Sequence, residues 1–148
     1  MTEKFGIRQI IVIFGDNFSD MNRQIIFYGD YFTDFYKELD IKVKQKVQYV
    51  LELIKQVDKV PEKFLSPMTG YEGLFEIRIE YQSNIYRVFR CFDEGKLVVL
   101  FNGFQKKTQK TPLNEIEKAM RLKKEYFELK KATFLKLKMR KVIFNFQH

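Results

Sequence analysis

Between residues 74 and 104 apolar and polar side chains alternate in three runs, 74–82, 85–93 and 96–104, parted by short polar breaks at Ser83-Asn84 and Glu94-Gly95. A period of two is the side-chain period of a strand, and breaks this short are hairpin turns. The pattern predicts a three-stranded antiparallel meander. In its first strand Phe75, Ile77, Ile79 and Tyr81 share one face, and Glu76, Arg78 and Glu80 share the other. With a two-residue turn, even positions of the first strand oppose odd positions of the second. Arg78 and Arg87 then lie on one side of the sheet, on neighbouring strands. Two guanidinium groups brought together need an anion between them. Glu76 or Glu80 could serve, as a cross-strand ion pair, and so could a phosphate held by the planar forks.

Upstream, the period changes. A short β run, QIIFY at 24–28, ends at Gly29-Asp30, with Asp30 a suitable N-cap. Phe32, Phe35, Tyr36 and Leu39 follow at helical spacing and predict a first helix over about 31–39. A second begins near Ile41, where Val43, Val47, Val50, Leu51, Ile54 and Val57 form one apolar stripe and Lys42, Lys44 and Lys46 fall away from it. Pro61 and Pro67 bracket a loop, and Gly70 and Gly73 lead into the meander. Downstream, a basic loop at 105–111 precedes Thr111-Pro112, which reads as an N-cap followed by proline at the first helical position. Leu113, Ile116, Met120 and Phe127 give a third helix an apolar side through about Lys131, with Lys118, Arg121, Lys123, Lys124 and Lys130 on its other side. Phe144 and Phe146 then alternate like a short strand. At the other end, Ile10 to Phe14 form an apolar run stopped by Gly15 and Asp16, and Met21-Asn22-Arg23 resembles a natural start just before a strand.

These elements predict an α+β fold: a twisted antiparallel sheet, two N-terminal helices packed on one face, and a basic C-terminal helix. The expected organisation is an N-terminal extension at 1–20, a domain at 21–131 and a basic, aromatic tail at 132–148.

Charge sharpens the picture. The chain of 148 residues carries a formal net charge of +8. From Phe104 onward there are thirteen Lys or Arg and four Asp or Glu, a net of +9, so residues 1–103 carry −1. A block of this kind suits an anionic partner. Cys91 is the single cysteine and His148 the single histidine, which excludes an internal disulfide, a multi-cysteine zinc site and a Ser-His-Asp or Cys-His centre within the domain. Cys91 is expected as a small core residue. No apolar run approaches ~18 residues and no small-residue cleavage site follows residues 10–14, so a cytoplasmic protein is expected.

The order β-α-α-β-β-β-α, with LFEIR at 74–78, YRVFR at 86–90, LVVLFNG at 97–103, FQKKTQKTP at 104–112 and EIEKA at 115–119, resembles the RelE/HigB superfamily of type II toxin–antitoxin toxins, in its phage-derived HigB-like branch. The opening IIFYGDYFTDFYKEL is similar as well, and the resemblance covers about 21–131. It implies a RelE-like fold and cleavage of mRNA at the ribosome, without metal or other cofactor. The 2′-hydroxyl would attack the adjacent phosphate to leave a 2′,3′-cyclic phosphate and a 5′-hydroxyl. It also implies a helix-turn-helix antitoxin as partner, beside mRNA and the ribosome, and no membrane.

Such a reaction needs cations against a phosphorane, a base and an acid, and a surface that splays the strand. Arg78, Arg87, Lys106 and Lys107 are the candidate catalytic residues, expected together in one accessible pocket. Phe104, Lys110, Arg121 and Lys124 are the candidate RNA-binding residues. Several relatives carry histidine where this chain has Asn102, so the acid and base would have to come from Lys106 or Lys107, from a tyrosine, or from Glu76.

Overall fold

The computed structural model describes residues 23–146 apart from 58 and 95. The apolar run at 10–14, the N-terminal extension and the proposed start at Met21 lie outside the described residues. The elements are β1 (Gln24–Phe27), α1 (Tyr31–Lys37), α2 (Ile41–Gln56), β2 (Leu65–Pro67), β3 (Phe75–Tyr81), β4 (Asn84–Phe92), β5 (Leu97–Lys106) and α3 (Leu113–Phe146). The architecture is α+β, with one five-stranded sheet in the order β1-β5-β4-β3-β2.

The meander forms as its alternation predicts. Its first hairpin turns on Gln82 and Ser83, both at positive φ (45° and 65°), with Tyr81 paired to Asn84. Two consecutive left-handed residues make the tight turn whose twist matches that of the strands. Asn84, expected in the break, therefore opens β4. The antiparallel expectation holds for β2 to β5 but not for β1, which runs parallel to β5 with Ile25 opposite Val98 and Phe27 opposite Leu100. A parallel pair needs a long crossover, and the helices and three strands between β1 and β5 supply it. The sheet is mixed for that reason.

Both faces are covered. On one, Val43, Val47, Val50, Leu51 and Ile54 of α2, each no more than 3% exposed, pack with Phe32 of α1 against Ile77, Ile79, Val88, Val98 and Leu100. On the other, Ile116, Ala119 and Leu122 of α3 pack on Ile26, Phe89, Cys91, Val99, Phe101 and Phe104. Tyr86 to Cys91 are accordingly buried without interruption, as in a strand sandwiched between two layers. Burial pushes the Cys91 thiol up to about 12, so the cysteine is an inert core residue.

The β4–β5 ladder has an irregularity. Val88 pairs with Gly103 and Arg90 with Leu100, so β5 carries one extra residue. Phe101 and Phe104, of opposite parity, thereby reach the same core cluster.

Two helix starts differ in detail from the expectation. Asp30 caps α1 through its carbonyl, which accepts from the Asp34 amide at 2.8 Å, and not through its carboxylate. The Pro112 carbonyl accepts from the amides of Glu115 and Ile116, and α3 starts one residue later than its proline suggested. The larger difference is at the far end. α3 continues through Lys131 and the alternating Phe144 and Phe146 as one helix of 34 residues, about 51 Å at 1.5 Å per residue. Neither glycine nor proline occurs between Leu113 and Phe146 to stop it. Asp93 holds its docked part to the end of β4, accepting from the Tyr126 hydroxyl at 2.5 Å and the Lys130 ammonium at 2.7 Å. No helix among the described residues is long and apolar enough to cross a membrane.

Candidate functional site

The ladder places Arg78 directly opposite Arg87. The anion between them is Glu76. Its Oε1 accepts from Arg78 Nε at 2.8 Å and from Ser66 Oγ at 3.4 Å, and its Oε2 lies 3.5 Å from Arg87 Nε. Neither Oε2 nor that Nε makes a hydrogen bond, so the second contact is Coulombic only. Arg87 also donates from Nη1 to the Tyr86 carbonyl at 3.2 Å.

Burial divides the three. Glu76 and Arg87 are each 6% exposed, whereas the Arg78 side chain is 38% exposed. Burial lowers the Arg87 guanidinium from its ordinary range, Glu76 opposes that shift, and the like charge of Arg78 adds to it. Arg87 thus sits behind the carboxylate and Arg78 reaches out from it. Among the described residues, Arg87 is too buried to line the accessible pocket expected of both arginines.

The other cations fall into two groups. Lys106 pairs with Ile85 at the end of β5 and lies half-buried on the same side of the sheet as Arg87, one strand over. Lys107 and Lys110 follow in the exposed loop, where Thr108 Oγ1 donates to the Lys110 carbonyl. Arg121 and Lys124 belong to the outward side of α3, pairing along the helix with Glu125 at 3.4 Å and Glu128 at 4.0 Å. They are exposed cations on a surface separate from the arginine pair. Phe104 is a core residue, 9% exposed and 5.6 Å from the Phe89 ring between centroids. It offers no face on which a base could stack. The extra residue in β5 explains the difference, because it turns Phe104 inward under α3.

Two polar residues inside apolar segments gain meaning only in the fold. Asn102 interrupts VVLFNGF, and its Nδ2 donates to the Glu115 carbonyl at 3.1 Å and to Glu115 Oε2 at 2.9 Å. Asn102 therefore holds the start of α3 against β5. Arg90 interrupts YRVFRCF. Its guanidinium lies between the rings of Phe75 and Phe92, 4.6 and 3.8 Å from their centroids, fully buried and without a hydrogen bond. A polar residue in an otherwise apolar strand was the available signal in both runs.

Residues 34–124 match the family model described as phage derived protein Gp49-like (DUF891), a family related to the RelE-type toxins. No curated protein matches the chain.

Proposed function

The chain belongs to the phage-derived Gp49-like family, and from that premise we propose that it is a HigB-like toxin of a type II toxin–antitoxin pair, an endoribonuclease acting on mRNA at the ribosome. One observation carries the reading: a single carboxylate, Glu76, reaches two opposed arginines, one of them half-exposed. In the proposed reaction Arg78 meets the scissile phosphate, and Arg87 adds positive charge from behind as the phosphorane forms. Glu76, buried with its Oε2 sealed from solvent, orients Arg78, and the proton of the attacking 2′-hydroxyl passes to water. Lys106 and Lys107 hold the phosphate backbone, with Lys110 beside them, and Arg121 and Lys124 on α3 offer a second positive surface to the RNA. As the 2′-oxygen bonds to phosphorus, the bond from phosphorus to the 5′-oxygen breaks, and that oxygen takes a proton from the ammonium of Lys106 or Lys107, which leaves a 2′,3′-cyclic phosphate and a 5′-hydroxyl.

A helix-turn-helix antitoxin is the proposed protein partner. Beyond its docked part α3 exposes Phe134, Leu135, Leu137 and Met139, each at least 50%, between lysines and Arg140. Apolar side chains this exposed support a protein contact there.

The test is cleavage of a defined mRNA with and without ribosomes, with chemical mapping of the new ends. Arg78→Ala should lower cleavage by about 10²–10³-fold, as loss of one transition-state donor does, while lowering stability by only about 1 kcal/mol or less. Full cleavage by a folded Arg78→Ala protein would remove Arg78 from the site.

A second reading is a non-catalytic member that binds RNA, the ribosome or a protein. The near-complete burial of Glu76 and Arg87 favours it, because such a pair stabilises the sheet with no phosphate present. Salt-dependent RNA binding without new RNA ends would select it.

A further inference from the structure

In the proposed RNA cleavage the proton of the attacking 2′-hydroxyl reaches water, and a group that draws it onward raises the rate. Such a group needs a free lone pair, access to solvent and a place beside Arg78. Two carboxylates, Glu76 and Glu80, share the strand face of Arg78. Glu76 is sealed, and it is held by Arg78 and Ser66. Glu80 is exposed, and among the described residues no hydrogen bond or ion pair occupies its carboxylate. Its charge is felt at the Arg87 guanidinium.

The ladder fixes what stands around Glu80. Arg78 lies two residues back along β3, about 7 Å away. Across the sheet Glu80 pairs with Ile85, and Ile85 with Lys106. One row therefore runs carboxylate, apolar side chain, ammonium, its ends about 10 Å apart at two strand spacings. The row beside it runs Arg78, Arg87, Phe104. Glu80 and Lys106 bear opposite charges on one face and form no ion pair with each other. A phosphodiester seated on Arg78 between them would meet a base on one flank and an acid on the other. In-line displacement at phosphorus needs that arrangement, because the entering 2′-oxygen and the leaving 5′-oxygen stand on opposite sides of the phosphorane.

We propose, on the RNA-cleavage reading, that Glu80 is the general base of this site. The 2′-O–H bond breaks, its proton passes through the water to the Glu80 carboxylate, and the 2′-oxygen bonds to phosphorus. The bond from phosphorus to the 5′-oxygen breaks, and the Lys106 ammonium protonates that oxygen. Glu80 ends as the neutral acid and Lys106 as the neutral amine, and proton exchange with solvent restores both. A carboxylate repels the phosphate it serves, so Glu80 contributes to rate and not to binding. The charges around it are Arg78 and Arg87 on its own face and Lys106 across Ile85. Glu62 and Lys63 stand in the turn beyond the edge of β3, where the Phe64 carbonyl accepts from the Arg78 amide at 2.8 Å.

The experiment is single-turnover cleavage of a defined mRNA by the full chain with ribosomes. Binding is measured beside it, on the same mRNA with a 2′-deoxy nucleotide at the cleaved position. Glu80→Gln, a change at an exposed side chain, should lower cleavage by about 10²-fold or more and leave binding equal or tighter. The wild-type rate should fall on acidification, and the variant should lose that limb. Sodium formate at constant ionic strength should return part of the rate to Glu80→Ala, since a small carboxylate takes the vacated place. Glu62→Gln, which removes a carboxylate from outside the row, should cut as the wild type does. A folded Glu80→Gln protein that cuts at the wild-type rate overturns the proposal and leaves the RNA reading standing. So does a loss of cleavage matched by an equal loss of binding, or an acid limb that persists in Glu80→Gln. A wild-type chain that makes no new RNA ends overturns the RNA reading, and Glu80 as its base with it.

Discussion

Arg78 and Arg87 face each other across the β3–β4 ladder, and Glu76 reaches both, with Nε–Oε distances of 2.8 and 3.5 Å. The two arginines differ in what surrounds them. Removing the buried Arg87 leaves Glu76 in the sheet with the Arg78 charge and the Ser66 hydroxyl for compensation. Arg87→Met should therefore lower unfolding free energy by about 2 kcal/mol, less than the full cost of an orphaned buried charge. With Glu76→Gln it should show a coupling of about 0.5–3 kcal/mol in a double-mutant cycle by urea unfolding. Arg78→Ala, half-exposed, should cost about 1 kcal/mol or less. Additive effects of the Arg87 and Glu76 changes would show that the 3.5 Å contact contributes nothing.

Asp93 should govern the pH dependence of α3 docking. Burial by itself would raise its carboxyl. Hydrogen bonds from Lys130, Tyr126 and the Glu94 amide outweigh that and hold it below the ordinary carboxylate range. A depressed carboxyl contributes stability that is present above the unfolded value of about 4 and is lost as pH falls through the folded value. Burial, reinforced by Asp93, pushes the Tyr126 hydroxyl upward. That contribution is present below the unfolded value of about 10 and is lost as pH rises past it. Asp93→Asn should flatten both limbs of a stability–pH profile and cost about 1–3 kcal/mol at neutral pH. An unchanged profile would mean that α3 is held by its apolar face alone.

Gly103 tests the packing of α1 on the sheet. A Cβ built there would overlap the ring of Phe35. Overpacking of this kind costs about 1–3 kcal/mol, so Gly103→Ala should lower the melting temperature. Phe35→Leu in the same chain should restore part of the loss. No change in melting would mean that α1 shifts freely.

Arg90 should be a net cost to the fold. Burial, with help from the nearby Arg23 charge, lowers its guanidinium to about 9. For a base whose folded value lies below its unfolded one, the penalty is full below the folded value and is relieved as pH rises above it. Arg90→Met keeps the contact with Phe75 and Phe92 and removes the buried charge. It should raise stability at pH 7 by about 1 kcal/mol or more, and the advantage should shrink above pH 9. A melting temperature lowered by Arg90→Met would show that the ring sandwich outweighs desolvation.

Much of the fold was legible because it rests on local periods. The stripe of α2 at Val43, Val47, Leu51 and Ile54 and the parity of β3 are properties of short windows. A two-residue turn carries that parity into β4, so the facing of Arg78 and Arg87 followed from counting. The site was less legible. Phe104 counted as a neighbour of the basic loop, but the extra residue in β5 turns it into the core, and a bulge leaves no mark in an apolar run. The length of α3 was hidden for another reason: its tail mixes apolar and basic residues without a stripe, and only the absence of glycine and proline pointed to continuation.

What the sequence by itself determined is therefore which residues form helix and strand and which side chains share a face, since backbone sterics and side-chain spacing act over a few residues. The tertiary structure decided which charges meet and which are sealed. Glu76, not Glu80, stands between the arginines because β2 brings Ser66 to it and the layers bury it. β1 runs parallel to β5 because of where the crossover returns the chain. Asn102 faces Glu115 because α3 begins above β5. Burial and long-range electrostatics depend on a second layer that no local pattern contains.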